Sequence, residues 1–203
     1  MAEKILCVDD DPNILAAYKR HLRKKFNLET ADSGNQGLDF IAKSGPYAVV
    51  VSDMQMPGMN GVDFLQMVRK KSPDTVRMML TGQGDLGVAM DAVNKGNIFR
   101  FLTKPCPPEE LSQALRAAIR QHELITAEKV LLEKTLSGAV KVLSDVLSIV
   151  NPSAFGRASR VRRLVRQICG QMGQALSWKI ELSSMLSQIG CVTVPEPTLA
   201  KVF

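Results

Sequence analysis

The first 105 residues alternate between two kinds of segment. Short runs rich in β-branched and aliphatic residues occur at 4–8 (KILCV), 27–31 (NLETA), 48–52 (AVVVS), 76–80 (VRMML) and 98–102 (IFRFL). Between them lie helical patterns near 12–25, 35–44, 60–71 and 85–95. Five strands, each separated from the next by a helix, predict an α/β fold: a doubly wound parallel sheet covered on both faces. The first and third runs are almost entirely apolar, which suits central strands buried on two sides. Right-handed crossovers then bring the C-terminal ends of all five strands to one edge. Ligands of such sheets bind at that edge, where the strand order reverses.

Beyond residue 105 the pattern changes. Pro107 and Pro108 suit a helix start, and Glu109 and Glu110 suit its positive end. No proline follows until Pro152. Positions 111, 115, 118, 122, 125, 129, 132, 136, 139, 143, 147 and 150 step by four and three and are mostly apolar, with His122 and Lys129 as interruptions. This heptad seam predicts a long helix, about 60 Å for some 40 residues, whose apolar stripe needs a second chain to bury it. A homodimeric coiled coil through 111–150 is therefore expected, the alternative being two shorter helices broken near Gly138. Two further helical patterns, 157–173 and 175–189, precede a Pro-containing end that reads as extended. The expected organisation is a sheet domain over 1–122, a helical linker over 123–152 and a small helical segment over 153–203.

Composition removes several classes. The longest stretch without a charge, 182–195, is shorter than a membrane-spanning helix requires. The first residues, MAEKILCVDDD, lack the apolar run of a secretory signal. Cys7, Cys106, Cys169 and Cys191 form no CxxC pair, so a zinc ribbon or disulfide scaffold is not expected and a cytoplasmic setting is. The net charge of +6 owes most to Arg157, Arg160, Arg162, Arg163 and Arg166. They have no helix-turn-helix around them and read as a solvated helix face, so nucleic acid is not an expected partner.

The chemistry gathers at the strand ends. Asp9, Asp10 and Asp11 follow the first strand, Asp53 the third, Thr81 the fourth and Lys104 the fifth. Parallel strands bring all of these to one edge. Crowded carboxylates repel one another unless a cation is present, and hard oxygen ligands suit Mg²⁺. An ammonium and a hydroxyl facing them are what a transferring phosphoryl group needs. A carboxylate can itself be the nucleophile and become an aspartyl phosphate.

In ILCVDDDP, VVVSDMQMPGMNG, MMLTGQGD and FRFLTKPC the segment from 1 to about 120 resembles the receiver domain of two-component response regulators. The resemblance implies the flavodoxin-like strand order 2-1-3-4-5. It implies that Asp53 accepts a phosphoryl group from a sensor histidine kinase or a phosphotransfer protein. Asp10, Asp53 and the backbone carbonyl of Gln55 would bind Mg²⁺ directly, and Asp9 mainly through water. Lys104 would pair with the phosphoryl group and Thr81 would hydrogen-bond it. Phe101 would be the aromatic switch, moving the face made by the 85–95 helix, the fifth strand and the helix after it. The Lys104–Pro105 bond is expected cis, and Gln55 and Gln83 hold positions that tune phosphoryl lifetime. Such a chain is a phosphoacceptor rather than a turnover enzyme, with autodephosphorylation at most.

GRASRV (156–161), MLSQIGCVTVP (185–195) and TLAK (198–201) resemble the opening of an HD-type phosphohydrolase domain of the HD-GYP branch. Arg157, Ser187, Gln188 and Cys191 stand at positions that in the family's pattern read His, His, Asp and Lys, so a degenerate HD domain is expected. Cyclic-di-GMP phosphodiesterase activity and DNA-binding regulation are the alternatives to a phosphorylation-driven interaction switch.

Overall fold

The protein is described from a computed structural model covering residues 3–82, 98–150, 152–194 and 198. The chain divides into two compact units, 1–127 and 128–203.

The first unit is built on five parallel strands in the order β2-β1-β3-β4-β5: β1 (Lys4–Val8), β2 (Asn27–Ala31), β3 (Val49–Asp53), β4 (Val76–Thr81) and β5 (Arg100–Thr103). The intervening described helices are α1 (Pro12–Leu22), α2 (Gly34–Ser44) and α3 (Gly61–Lys71). The expected helix near 85–95 and Gln83 lie outside the described residues. Successive strand side chains point to opposite faces, so the apolar runs divide between two cores. Leu6, Val8, Val50 and Met79 join Leu38, Phe64, Leu65 and Val68 of α2 and α3. Ile5, Cys7, Val49, Val51, Met78 and Leu80 face Leu22 of α1 and the helix that follows β5. Cys7 is a packing residue there: burial, with help from the charge of Asp9, pushes its thiol up to about 12.

Caps set where the helices start. The Asp11 side chain accepts from the Asn13 amide at 2.8 Å ahead of Pro12. Ser33 caps α2, and Asn60 caps α3 by accepting from the Asp63 amide at 2.8 Å. Asp11 and Ser33 stand just beyond β1 and β2, and Asn60 lies in the loop after β3.

The long helix α4 runs from Pro108 to Val150 without a break at Gly138. Its stripe is not one continuous partner surface. Leu111, Ala114, Leu115 and Ala118 are fully buried against β1, β3 and β4 within the first unit's own core. The expectation of a dimer face spanning all of 111–150 is corrected here. The helix that follows β5 covers one face of the sheet, so the first three seam positions are already covered. His122, half-buried, reaches toward the sheet's start, with Nδ1 3.7 Å from the Glu3 carboxylate.

In the second unit Leu132, Leu136 and Leu143 stand 58%, 40% and 60% exposed. It also contains α5 (Pro152–Gln171) and α6 (Trp178–Leu186). Proline at the first position lets α5 begin five residues before the predicted start. Gly173, at φ +66°, makes the left-handed turn after α5. Arg162 and Arg166, one turn apart, both donate to Glu181 Oε1 across the α5–α6 pair, Arg162 Nε at 3.0 Å. The two guanidinium groups hold the Glu181 carboxyl below its ordinary value. After α6 the chain makes a 3₁₀ turn, Ile189–Thr193, where an extended end was expected.

Candidate functional site

Strand register assembles the site. Val8 pairs with Ser52, Asp53 with Leu80, and Thr81 with Thr103. The residues one step beyond, Asp9 and Lys104, therefore emerge beside Asp53 and Thr81 at the C-terminal edge. The strand order reverses there, between β1 and β3.

Asp9 is 1% exposed and Asp53 is 8% exposed. Asp10 is exposed, yet one oxygen from each of the three carboxylates falls within a 4.8 Å cluster. Lys104 reaches across the sheet edge to two of them. Its Nζ lies 2.7 Å from Asp9 Oδ2 and 3.0 Å from Asp53 Oδ1. The other Asp9 oxygen accepts from the Asp11 amide at 3.0 Å. One ammonium facing three carboxylates leaves net negative charge in a partly desolvated pocket. Burial raises the Asp53 pKa, opposed by its hydrogen bond and charge contact with Lys104. Burial works to lower Lys104, but Asp9 and Asp53 outweigh it and the net shift is upward. Hard oxygen donors with a residual negative charge fit a divalent cation such as Mg²⁺.

Thr81 is fully buried, and among the described residues its hydroxyl donates to Met54 Sδ, a weak acceptor, and to the Gly82 carbonyl, both at a long 3.3 Å. The Thr81 carbonyl accepts from the Lys104 amide at 2.8 Å, which pins the β4 and β5 ends together. The Lys104–Pro105 bond is cis, as is Gly45–Pro46. Phe101 pairs in register with Met79 and packs, half-buried, against the α2–α3 core. Gln55 is exposed two residues beyond Asp53.

Two features escaped sequence reading. The first is that Asp9, not only Asp53, holds Lys104. The second is Gly61, where a Cβ would stand 1.9 Å from the Asp53 carbonyl oxygen. The glycine lets α3 start directly behind the site, with its amide 2.9 Å from the Met54 carbonyl. The MPGMNG stretch carried that signal, since glycine marks close backbone approach.

Comparison with known proteins identifies the family. The family model described as the response regulator receiver domain matches residues 5–116. The chain belongs to the response regulator receiver family. Among curated relatives, the C4-dicarboxylate transport transcriptional regulatory protein DctD of Pseudomonas aeruginosa is 31% identical over 166 residues. The match takes in 81% of this chain but only 34% of that regulator, so this chain spans about a third of its relative's length. Among solved structures, an adenylate cyclase from Rhodopirellula baltica is 46% identical with a TM-score of 0.64, over 66% of this chain and 99% of that one. The signal receiver domain of an HD domain-containing protein from Pseudomonas fluorescens Pf-5 is 33% identical with a TM-score of 0.57, over 60% and 90%. In this receiver the edge carrying Asp9, Asp53, Thr81 and Lys104 is the candidate site. Among the described residues no helix is long and apolar enough to cross a membrane.

At the positions resembling HD ligands, the side chains engage their own turns. Ser187 Oγ donates to the Ser184 carbonyl at 2.9 Å, and Cys191 Sγ lies 3.5 Å from Gln188 Oε1. Pro195 and most of TLAK fall outside the described residues.

Proposed function

We propose that this receiver accepts a phosphoryl group on Asp53 from a histidine kinase or phosphotransfer protein and uses it to switch an interaction. The observation that carries this reading is the Lys104 ammonium held between Asp9 and Asp53, with Asp10 beside them. An Asp53 oxygen attacks phosphorus, and the bond from phosphorus to the donor's imidazole nitrogen breaks, leaving its electron pair on the donor. Lys104 shifts its charge from the carboxylates to the incoming phosphoryl oxygens. Asp10, Asp53 and the Gln55 carbonyl would hold Mg²⁺, with Asp9 behind them. The bound ion supplies positive charge where negative charge accumulates. Thr81 then exchanges two long hydrogen bonds for one to a charged phosphoryl oxygen, which is stronger. Its inward movement vacates space that Phe101 can enter. Differential contacts of this size shift a two-state population rather than create a new fold.

The output in this reading is a second copy of the chain, met through the exposed seam of α4 beyond the first unit. Contiguous apolar surface of that kind marks an interaction site. The chain turns over no substrate beyond its own phosphoryl group. Serine and glutamine at the HD-type positions are poor ligands for a hydrolytic metal pair, which weighs against phosphodiesterase activity. Gene regulation is the second reading, favoured by the naming of DctD as a transcriptional regulator.

The test is intact mass after incubation with acetyl phosphate and Mg²⁺, followed by light-scattering mass with and without beryllofluoride. A phosphoryl adduct that disappears in Asp53→Asn, with a dimer that beryllofluoride strengthens, is expected. An adduct retained by Asp53→Asn overturns the assignment of the acceptor. A monomer in both states overturns the dimer.

A further inference from the structure

The edge of the sheet opposite the aspartate pocket carries the opposite charge. Helices run antiparallel to the strands they connect, so α1 ends at this edge, with Lys19 and Arg20 in its last turn and Arg23, Lys24 and Lys25 directly after it, all exposed. Arg116 and Arg120, one turn apart on α4, are exposed as well. Lys25, Arg116 and Arg120 line an open groove of about 450 Å³ together with Phe26, Ile119 and two carboxylates, Glu3 and Glu123. The Arg116 guanidinium lies 6.0 Å from the centre of the Phe26 ring. Among the described residues, none of these seven cations forms an ion pair.

Attraction to a helix C-terminus accounts for cations in the last turn of α1. It does not account for Arg116 and Arg120, which sit in the interior of another helix and are brought to the same groove only by folding. Unpaired like charges gathered on one surface repel one another, and a partner of opposite charge relieves that repulsion.

We infer that this groove docks an acidic segment of a partner protein, one whose Asp or Glu residues alternate with apolar ones. Arginine forks match carboxylates in bidentate geometry, and Phe26 and Ile119 offer apolar contact between the charges. A nucleic acid fits less well. A continuous phosphate backbone entering the groove would meet Glu3 and Glu123, whereas a peptide can set its carboxylates on the cations and place other residues there. The docking does not depend on phosphoryl transfer at the far edge.

The test uses the full chain and a short fluorescein-labelled peptide of Glu and Leu, read by fluorescence anisotropy at about 50 mM salt. Binding is expected, weakened about tenfold in Arg116→Glu/Arg120→Glu and similarly in Lys24→Glu/Lys25→Glu. The charge-matched control, Lys70→Glu/Lys71→Glu at the end of α3, should bind as wild type. Melting curves confirm that each variant is folded. Absence of binding, or equal loss in the α3 control, overturns the proposal. Displacement of the peptide by a random-sequence DNA duplex, itself lost in the Arg116/Arg120 variant, also overturns it and makes the groove a nucleic-acid surface.

Discussion

At the scale of single residues, the site depends on two groups of different kinds. Gly61 works through its missing side chain. Gly61→Ala drives a methyl group into the Asp53 carbonyl, and overpacking of this sort costs about 1–3 kcal/mol. A lower urea midpoint is expected, together with slower phosphoryl uptake, because the displaced backbone carries Asp53. Lys104 works through its charge. Lys104→Met leaves three clustered carboxylates without their ammonium. The variant should melt lower in EDTA and gain more melting temperature from added Mg²⁺ than wild type does. The dication then faces no competing charge, and ligand binding stabilises by mass action. Equal gains in both proteins would remove the carboxylate cluster as the metal site. These carboxylates, Thr81 and Lys104 were legible from the sequence because strand ends in a parallel sheet share an edge. The Asp9–Lys104 contact was not, since nothing in a linear pattern says which of several carboxylates an ammonium will choose.

Among the elements, α4 joins two environments. Up to Ala118 it is a core helix of the sheet, and from about Val130 its apolar side chains face outward. Replacing Leu132, Leu136 and Leu143 together by Glu should convert the dimer expected here to a monomer in light scattering, while phosphoryl uptake on Asp53 stays unchanged. An unchanged mass would show that the seam is not the dimer contact. The α5–α6 pair makes a prediction with a definite sign. Arg162 and Arg166 depress the Glu181 carboxyl, so its contribution is complete above the ordinary carboxylate value of 4.5 and is lost as pH falls through the lower folded value. The pair is partly solvated, which limits the contribution to about 0.2–1 kcal/mol. Glu181→Gln should therefore lower stability at pH 7 by about that amount and have no effect below the folded value, as measured by denaturant unfolding at several pH values. The same contact engages part of the arginine run within the fold. Two of its five members are occupied by Glu181, a residue 15 and 19 positions away.

Over the whole molecule, the division at 127/128 has a direct consequence. Among the described residues both core clusters end by Ile125, so a fragment ending at Ala127 should fold cooperatively and accept a phosphoryl group. It should also lose any dimer formed through the second unit. Circular dichroism melting and intact mass of the fragment check both points. By itself the sequence determined the alternation of strands and helices, the parallel sheet and the edge at which its chemistry gathers. These follow from local propensity, hydrophobic period and handedness, which act along the chain. Only the tertiary structure decided how α4 divides its stripe, which carboxylates hold Lys104, why Gly61 must lack a side chain, and that Lys25, between α1 and β2, shares one groove with Arg116 and Arg120 of α4. Each of those depends on distances between residues remote in sequence, set by how sheet and helices pack rather than by any periodicity within one segment.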